Sequence, residues 1–452
     1  MARKLFIASI ILFVVVMAYP AASWVTGFFV ERQNEANQQK ALAAAPYVAR
    51  TLHDYRRGIF SSVEQSTYQL SLPTPKSAAG KMTLGPWQLT TRCVIRHGPL
   101  PGLRAFALAT ADCAFDLPEV SGDLSNALSG KALLETHAHM DWSGGSTATL
   151  ASPSFTLKLA KGATVNWRGI TGTVHAGRGM ATWSGNIMTP GLTFDEGAAH
   201  SEIGAINLTA DMRRVYDTLN IGAFSLKLAG ASIHTADPDK DLAVKGVTIG
   251  GLSGQNGDYL DLGADLAVDA VEAKQFSATC IGYAFRLEHA HGPSLAALIQ
   301  AMREAQRKGL AGDPDALQSK LADAFREHGA DLLSHDPVIE IPRIGFAMPE
   351  GEARLSAMLS APGLTPDELQ GPTLRVALLK HLQVAADLAI DAALLDKLLS
   401  GNKNAATVHQ QLATLEKQGY VKAAGTQYTA HISYQQGRLV VNGLPFPPRG
   451  AR

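Results

Sequence analysis

Between residues 55 and 292 apolar and polar positions alternate in short runs such as "STYQLSL", "SFTLKLAKG", "AINLTADM" and "FSLKLAGASIH". Gly, Pro, Asn and Asp interrupt these runs roughly every ten positions, and period-two alternation broken by turn residues predicts antiparallel strands. A sheet of that extent is expected to curl or pack on itself rather than stay flat and open. The period then lengthens. "SLAALIQAMREAQRKG" places Leu295, Leu298, Ile299 and Met302 on one helical face, with Gly309 as a stop. Asp313-Pro314 opens a second helix carrying Leu317, Leu321 and Phe325, an aspartate cap followed by proline in the first turn. Strand alternation returns at "PVIEIPRIGFAM", helices are expected near 391–399 and 405–418, and "YTAHISYQQGRLVVNGLPF" reads as a closing hairpin turning at Gln435-Gln436-Gly437.

The amino terminus follows neither period. "MARKLFIASIILFVVVMAYPAASW" puts Arg3 and Lys4 before a run from Leu5 to Trp24 that holds no charge. About 20 apolar residues suffice for a helix to cross a bilayer, where every backbone polar group must be satisfied within the segment. Leu5, Ile10, Phe13, Val16 and Trp24 are therefore the expected membrane anchor. Arg3 and Lys4 are expected to stay cytoplasmic and to send the rest of the chain across the inner membrane. The alternative is a cleaved signal peptide with Ala21-Ala22-Ser23 at its cleavage site, which Pro20 and the bulky Trp24 make a poor one. Residues 25–50, polar and rich in Ala and Gln, are expected to continue as a helical stalk lifting the body off the membrane.

These patterns define a β-dominated α+β chain with a transmembrane helix, a long curled antiparallel body, a helical insert and a mixed α/β end. The expected segments are 1–24 for the cytoplasmic tip and anchor, 25–50 for the stalk and 51–292 for the periplasmic body. A helical insert at 293–336 and the closing part at 337–452 complete them.

Composition narrows the function classes. With 40 basic and 40 acidic side chains among 452 residues the net charge is zero, which gives no support to a nucleic-acid partner. Three cysteines suit an exported protein with at most one disulfide. Cys93 and Cys113 bracket a Gly- and Pro-broken segment able to fold back as a hairpin, and are the candidate pair, leaving Cys280 single.

Two motifs invite stronger readings. "THAHMDWSGG" approaches the zinc motif of metallo-β-lactamase-like hydrolases. In a strand, however, His137, His139 and Asp141 share one face, and Asp141 lies about 13 Å from His137 at roughly 3.3 Å per residue. The hydrolase motif also has a further histidine where this chain has Trp142, so a polar strand face is the better account and no metal ligand is assigned. "VHQQLATLEKQGYV" resembles a winged-helix recognition helix, but Lys417 and Lys422 against Glu416 offer too little charge to hold phosphates. His289 and His291 in "LEHAHGP" again alternate like strand residues. No nucleophile elbow, phosphate-binding glycine loop or HExxH occurs, so no catalytic residue and no cofactor is expected.

Four short motifs carry a resemblance. They are Thr26-Gly27 within "WVTGFFVE", Tyr55 to Ser62 within "YRRGIFSSVEQSTYQLSL", His97-Gly98-Pro99-Leu100, and Val441-Asn442-Gly443. In this order they resemble the YdgA-like family of bacterial envelope proteins, a family of unknown function with a single amino-terminal anchor. The resemblance implies no catalytic residues. Within it, Gly58 is expected to permit a bend and Phe60 to anchor the first strand of the body. The resulting expectation is a non-catalytic, single-pass inner-membrane protein whose β groove shelters a lipid or other apolar ligand, an architecture similar to that of AsmA-like envelope proteins. Two alternatives stand beside it: a self-associating scaffold, for instance a homodimer, and an enzyme whose site is assembled from scattered carboxylates and histidines.

Overall fold

A computed structural model describes residues 2–45, 48–70, 87–117, 121–159, 162–274, 276–307, 314–369 and 374–446, without the side chains of residues 2–17, 44, 121–123, 306–307, 314–317, 321, 326, 366 and 374–375. The chain is β-dominated, with 24 strands and 9 α-helices among the described residues. It divides into two compact units. One comprises Met1–Gly197, Asn207–Arg214 and Arg303–Leu317; the other comprises Ala198–Ile206, Val215–Met302 and Gln318–Arg452.

In the first unit a helix runs from Ala2 to Ala44, so the expected anchor and stalk are one uninterrupted element despite Pro20. It ends short of Arg50, because the strand Val48–Arg57 has already begun. Among the described residues no helix is long and apolar enough to cross a membrane. The side chains of the anchor residues Leu5, Ile10, Phe13 and Val16 lie outside the described residues, and Trp24 is half-exposed. Val48–Arg57 opens an antiparallel series that continues through Ser61–Leu70, Trp87–His97, Ala109–Asp116, Leu134–Met140, Ser146–Ser152, Ile170–Ala176 and Thr182–Thr189. A smaller ladder joins Phe155–Lys158, Thr164–Trp167 and Leu192–Glu196. Val30 of the helix is buried against Ile95 and Ala109 of the sheet, with Tyr55 and Cys93 packed around them. The stalk reading is therefore corrected. From Tyr19 onward the helix lies against the strands of its own unit rather than standing free, since its small and apolar positions Ser23, Thr26 and Val30 are buried there.

The second unit is built from long strands. Ala199–Ile203, Leu219–His234, Leu242–Asn256, Tyr259–Ala273 and Phe276–His291 pair antiparallel in sequence. Val338–Met348, Gly351–Ser360, Gln383–Asp391, Gln427–Gln435 and Arg438–Val441 extend the same series. The helix Gly292–Arg307 follows the strand ending at His291, and its Leu295 and Ala296 join Val215, Leu219, Ile221, Leu260 and Leu332 in the main core of this unit. Helices Pro314–Ala324 and Ala330–Leu333 come next, joined by a π-turn at Phe325–Gly329. The expected Gly309 stop and Asp313 cap, and the Leu317 and Leu321 side chains, lie outside the described residues. Helices Ala392–Leu399 and Ala405–Lys417 fall where the apolar period placed them. The sheet is open. Among the described residues no pairing closes either series, and most strands pair with their neighbours in sequence, while Ser146–Ser152 pairs with Ile170–Ala176 and Ala199–Ile203 with Leu219–His234 across intervening strands.

Candidate functional site

Two features of the molecule stand out by chemistry: the seam between the long helix and the first unit's sheet, and one face of the second unit's sheet.

The seam begins at His97, the last residue of its strand and 1% exposed. Its Nδ1 faces the Ser23 carbonyl at 2.9 Å, and a carbonyl only accepts, so Nδ1 carries the proton. Nε2 is then left to accept from Ser62 Oγ at 3.1 Å, and Ser23 Oγ returns a hydrogen bond to the His97 carbonyl at 2.7 Å. Burial holds the imidazole below its ordinary pKa, with the nearby Arg57 charge acting in the same direction. Three of the four resembling motifs meet here. Gly27 passes so close that an added Cβ would lie 2.6 Å from His97 Cε1, while a Cβ on Gly98, at φ +119°, would strike Ser23 Oγ. Gly58 turns the chain into Ser61, whose carbonyl its amide meets at 2.8 Å. Phe60 does not anchor the body as expected. It is 48% exposed and stacks on Tyr19 of the helix at 5.8 Å, in the bend just before the strand whose Ser62, Glu64 and Ser66 face the same helix.

Farther along the helix lies a buried polar network. Glu64 is 3% exposed and accepts from Asn34 Nδ2 at 2.7 Å and Gln38 Nε2 at 2.5 Å, with His53 Nδ1 at 3.5 Å. Arg50 grips Glu35 through both terminal nitrogens at 2.7 and 2.9 Å, which lowers the Glu35 carboxyl to about pH 2. Arg57 pairs with Glu31 at 2.8 Å and lies over the rings of Trp24 and Phe28. An open groove of about 590 Å³ lined by Phe28, Glu31, Glu35, His53, Tyr55 and Arg57 borders the network. Glu31, Glu35, Arg50, Arg57 and Glu64 are each paired within it, while Arg32 is exposed at the groove, so the paired groups read as a fastening of helix to sheet.

Other sequence candidates resolve locally. Cys93 and Cys113 are directly opposite across two neighbouring strands and form a disulfide; Cys280 is free and exposed. His137 points to solvent beside Asp112, 2.7 Å away, and His139 registers with Thr147. Asp141 accepts from the Ser143 hydroxyl and from the amides of Ser143 and Gly145, closing a turn, and those bonds lower its carboxyl pKa. The three face no common point: the first two belong to a strand and the third to the turn after it. Asn442, at φ +50°, makes the Val-Asn-Gly turn and donates to the Tyr420 carbonyl while accepting from the His431 amide.

The second feature was hidden from sequence reading because it depends on register. Leu226, Ile249, Leu266, Tyr283, Ile344, Leu355 and Leu388 are successive cross-strand partners on seven neighbouring strands. Direct partners share a face, so these side chains form one row. Six inter-strand steps of about 4.8 Å carry it about 29 Å. Ile249, Leu266, Tyr283, Ile344 and Leu388 remain 37–41% exposed. A flanking row, Leu262, Leu287, Ile339, Leu359 and Val384, widens it on the same face. The opposite face is small and polar in the matching row: Lys227, Thr248, Ala267, Gly282, Gly345 and Arg354. Monomeric proteins rarely leave an apolar patch beyond a few hundred Å² open without a use for it.

The model of a bacterial protein family of unknown function, DUF945, matches residues 2–449. The chain belongs to that family. No curated protein and no solved structure matches it. The match covers both units and all four resembling motifs, and it assigns neither an activity nor a site. Within the DUF945 chain those motifs serve the helix–sheet seam and one turn, which gives each a packing role.

Proposed function

We propose that this DUF945 protein is a non-catalytic component of the bacterial envelope, anchored in the inner membrane, that shelters a lipid acyl chain along the apolar row of its second unit. The row carries the proposal: seven apolar side chains in register, half-open to solvent, on a face whose reverse is polar. Its length of about 29 Å compares with the roughly 30 Å apolar thickness of a bilayer, enough to take an extended acyl chain. The uncharged run from Leu5 to Trp24 behind Arg3 and Lys4 supports an anchor with a cytoplasmic tip and the body in the periplasm. A disulfide between Cys93 and Cys113 suits that oxidising side. The four motifs support a YdgA-like membership.

Binding of a fluorescent fatty acid to the full chain, compared with an Ile249→Lys, Leu388→Lys double variant, tests the reading. Each apolar contact of that size is worth about 1.5–3 kcal/mol, so the variant is expected to bind at least about tenfold more weakly. Equal binding by both proteins, or none by the wild type, overturns it.

A further inference from the structure

We infer that the first unit carries a membrane-surface footing: the bend at 58–60 and the loop 98–106 set their apolar side chains into the lipid interface beside the helix where it leaves the bilayer. The inference rests on the anchor of the proposed function and is independent of acyl-chain binding by the second unit.

The uncharged run from Leu5 to Trp24 measures about 30 Å at 1.5 Å per helical residue, the apolar thickness of a bilayer. Tyr19 and Ser23 fall within about 8 Å of its outer end. Both are tied to the loops of the sheet. Tyr19 donates its hydroxyl hydrogen to the Leu100 carbonyl at 2.6 Å, and Ser23 Oγ donates to the His97 carbonyl at 2.7 Å. Phe60 stacks on Tyr19 at 5.8 Å, and its carbonyl accepts from the His97 amide at 3.1 Å. These contacts hold the bend and the loop at the height along the helix where an apolar run of this length meets the headgroups.

At that height both segments are apolar and open. Leu103 and Phe106, 77% and 73% exposed, are the most exposed large apolar side chains among the described residues, and Ile59, Phe60 and Leu100 are exposed beside them. Leu103 is held at φ +58°, a left-handed conformation with a steric cost for any side chain, and its open side chain has no core contact to offset that cost. Arg104 is the one charged residue from 98 to 108 and is exposed, while the Arg57 guanidinium lies over the Trp24 ring at 5.5 Å. Aromatic and aliphatic side chains with cations among them suit the interface, where rings and alkyl groups enter the acyl boundary and cations meet lipid phosphates. Lipid is the occupant because the patch is continuous with the outer end of the anchor.

The test is fluorescence quenching in vesicles of phosphatidylethanolamine and phosphatidylglycerol that carry a nitroxide on the lipid headgroup. An environment-sensitive dye is attached to the full chain at Leu103→Cys, Phe106→Cys or Gln88→Cys, each with Cys280→Ser to remove the free thiol. Gln88 lies nine residues from His97 on the same strand, about 30 Å away. All three side chains are exposed, so the labels leave the fold intact. Dye at 103 and at 106 is expected to lose most of its emission to the nitroxide, and dye at 88 to keep it. Protein that floats with the vesicles while 103 and 106 stay as bright as 88 overturns the footing and leaves the anchor standing. Equal quenching at all three positions also overturns it. Protein that does not float with the vesicles overturns the anchor, and the footing with it.

Discussion

At Gly27 an added Cβ would sit 2.6 Å from His97 Cε1, and the ring is held from both sides by Ser23 and Ser62. Gly27→Ala must therefore displace either the histidine or the helix, at a cost of about 1–3 kcal/mol, read as a lower melting temperature of the full chain. A substitution that leaves the melting temperature unchanged would show that the close approach has slack. Glu35 supplies a pH dependence. Its carboxyl is lowered from 4.5 to about 2, chiefly by the Arg50 hydrogen bonds. A group depressed in the folded state contributes its full stability above pH 4.5 and loses it as pH falls toward 2. Acid melts of the wild type should thus fall more steeply in that window than those of Glu35→Gln, and parallel curves would remove Glu35 from the account. Sequence reading saw that Gly58 permits a turn, since glycine announces its own conformational freedom. It misplaced Phe60, because the residue lies in the bend before the strand and meets Tyr19 at the edge of the seam, while Ser62, Glu64 and Ser66 take the buried positions beneath the helix.

Among elements, the long helix and the disulfide fix the first unit. The helix was legible from the breaker-poor stretch after Trp24, though it ends at Ala44 rather than near residue 50, and its role was not legible: contact with a sheet needs the sheet to be in place, and polar seam residues such as Asn34 and Gln38 read as solvent-facing until buried Glu64 comes opposite them. Cys93 and Cys113 staple two neighbouring strands 20 residues apart in sequence, a loop whose closure restricts the unfolded chain. Replacing both with alanine should lower stability by about 3 kcal/mol, measured by denaturant midpoint under oxidising conditions. A midpoint equal to that of the wild type would mean the pair is not joined in the native protein.

For the whole molecule, alternation along the runs revealed a β body, and turn residues placed the closing hairpin at Gln435-Gln436-Gly437. Alternation alone does not say which residue meets which across strands, and one step of slippage would turn every side chain to the other face. The apolar row therefore became visible only with register. Membership in DUF945 adds extent but no role, so the lipid account stands on that row. Its most direct test is site-specific photo-crosslinking in living cells grown with radiolabelled phosphate. A photoreactive residue is placed at Leu266 on the apolar row or at Ala267 on the reverse face. The account expects labelled phospholipid attached at position 266 and not at 267. Label at neither position, or equally at both, would contradict it.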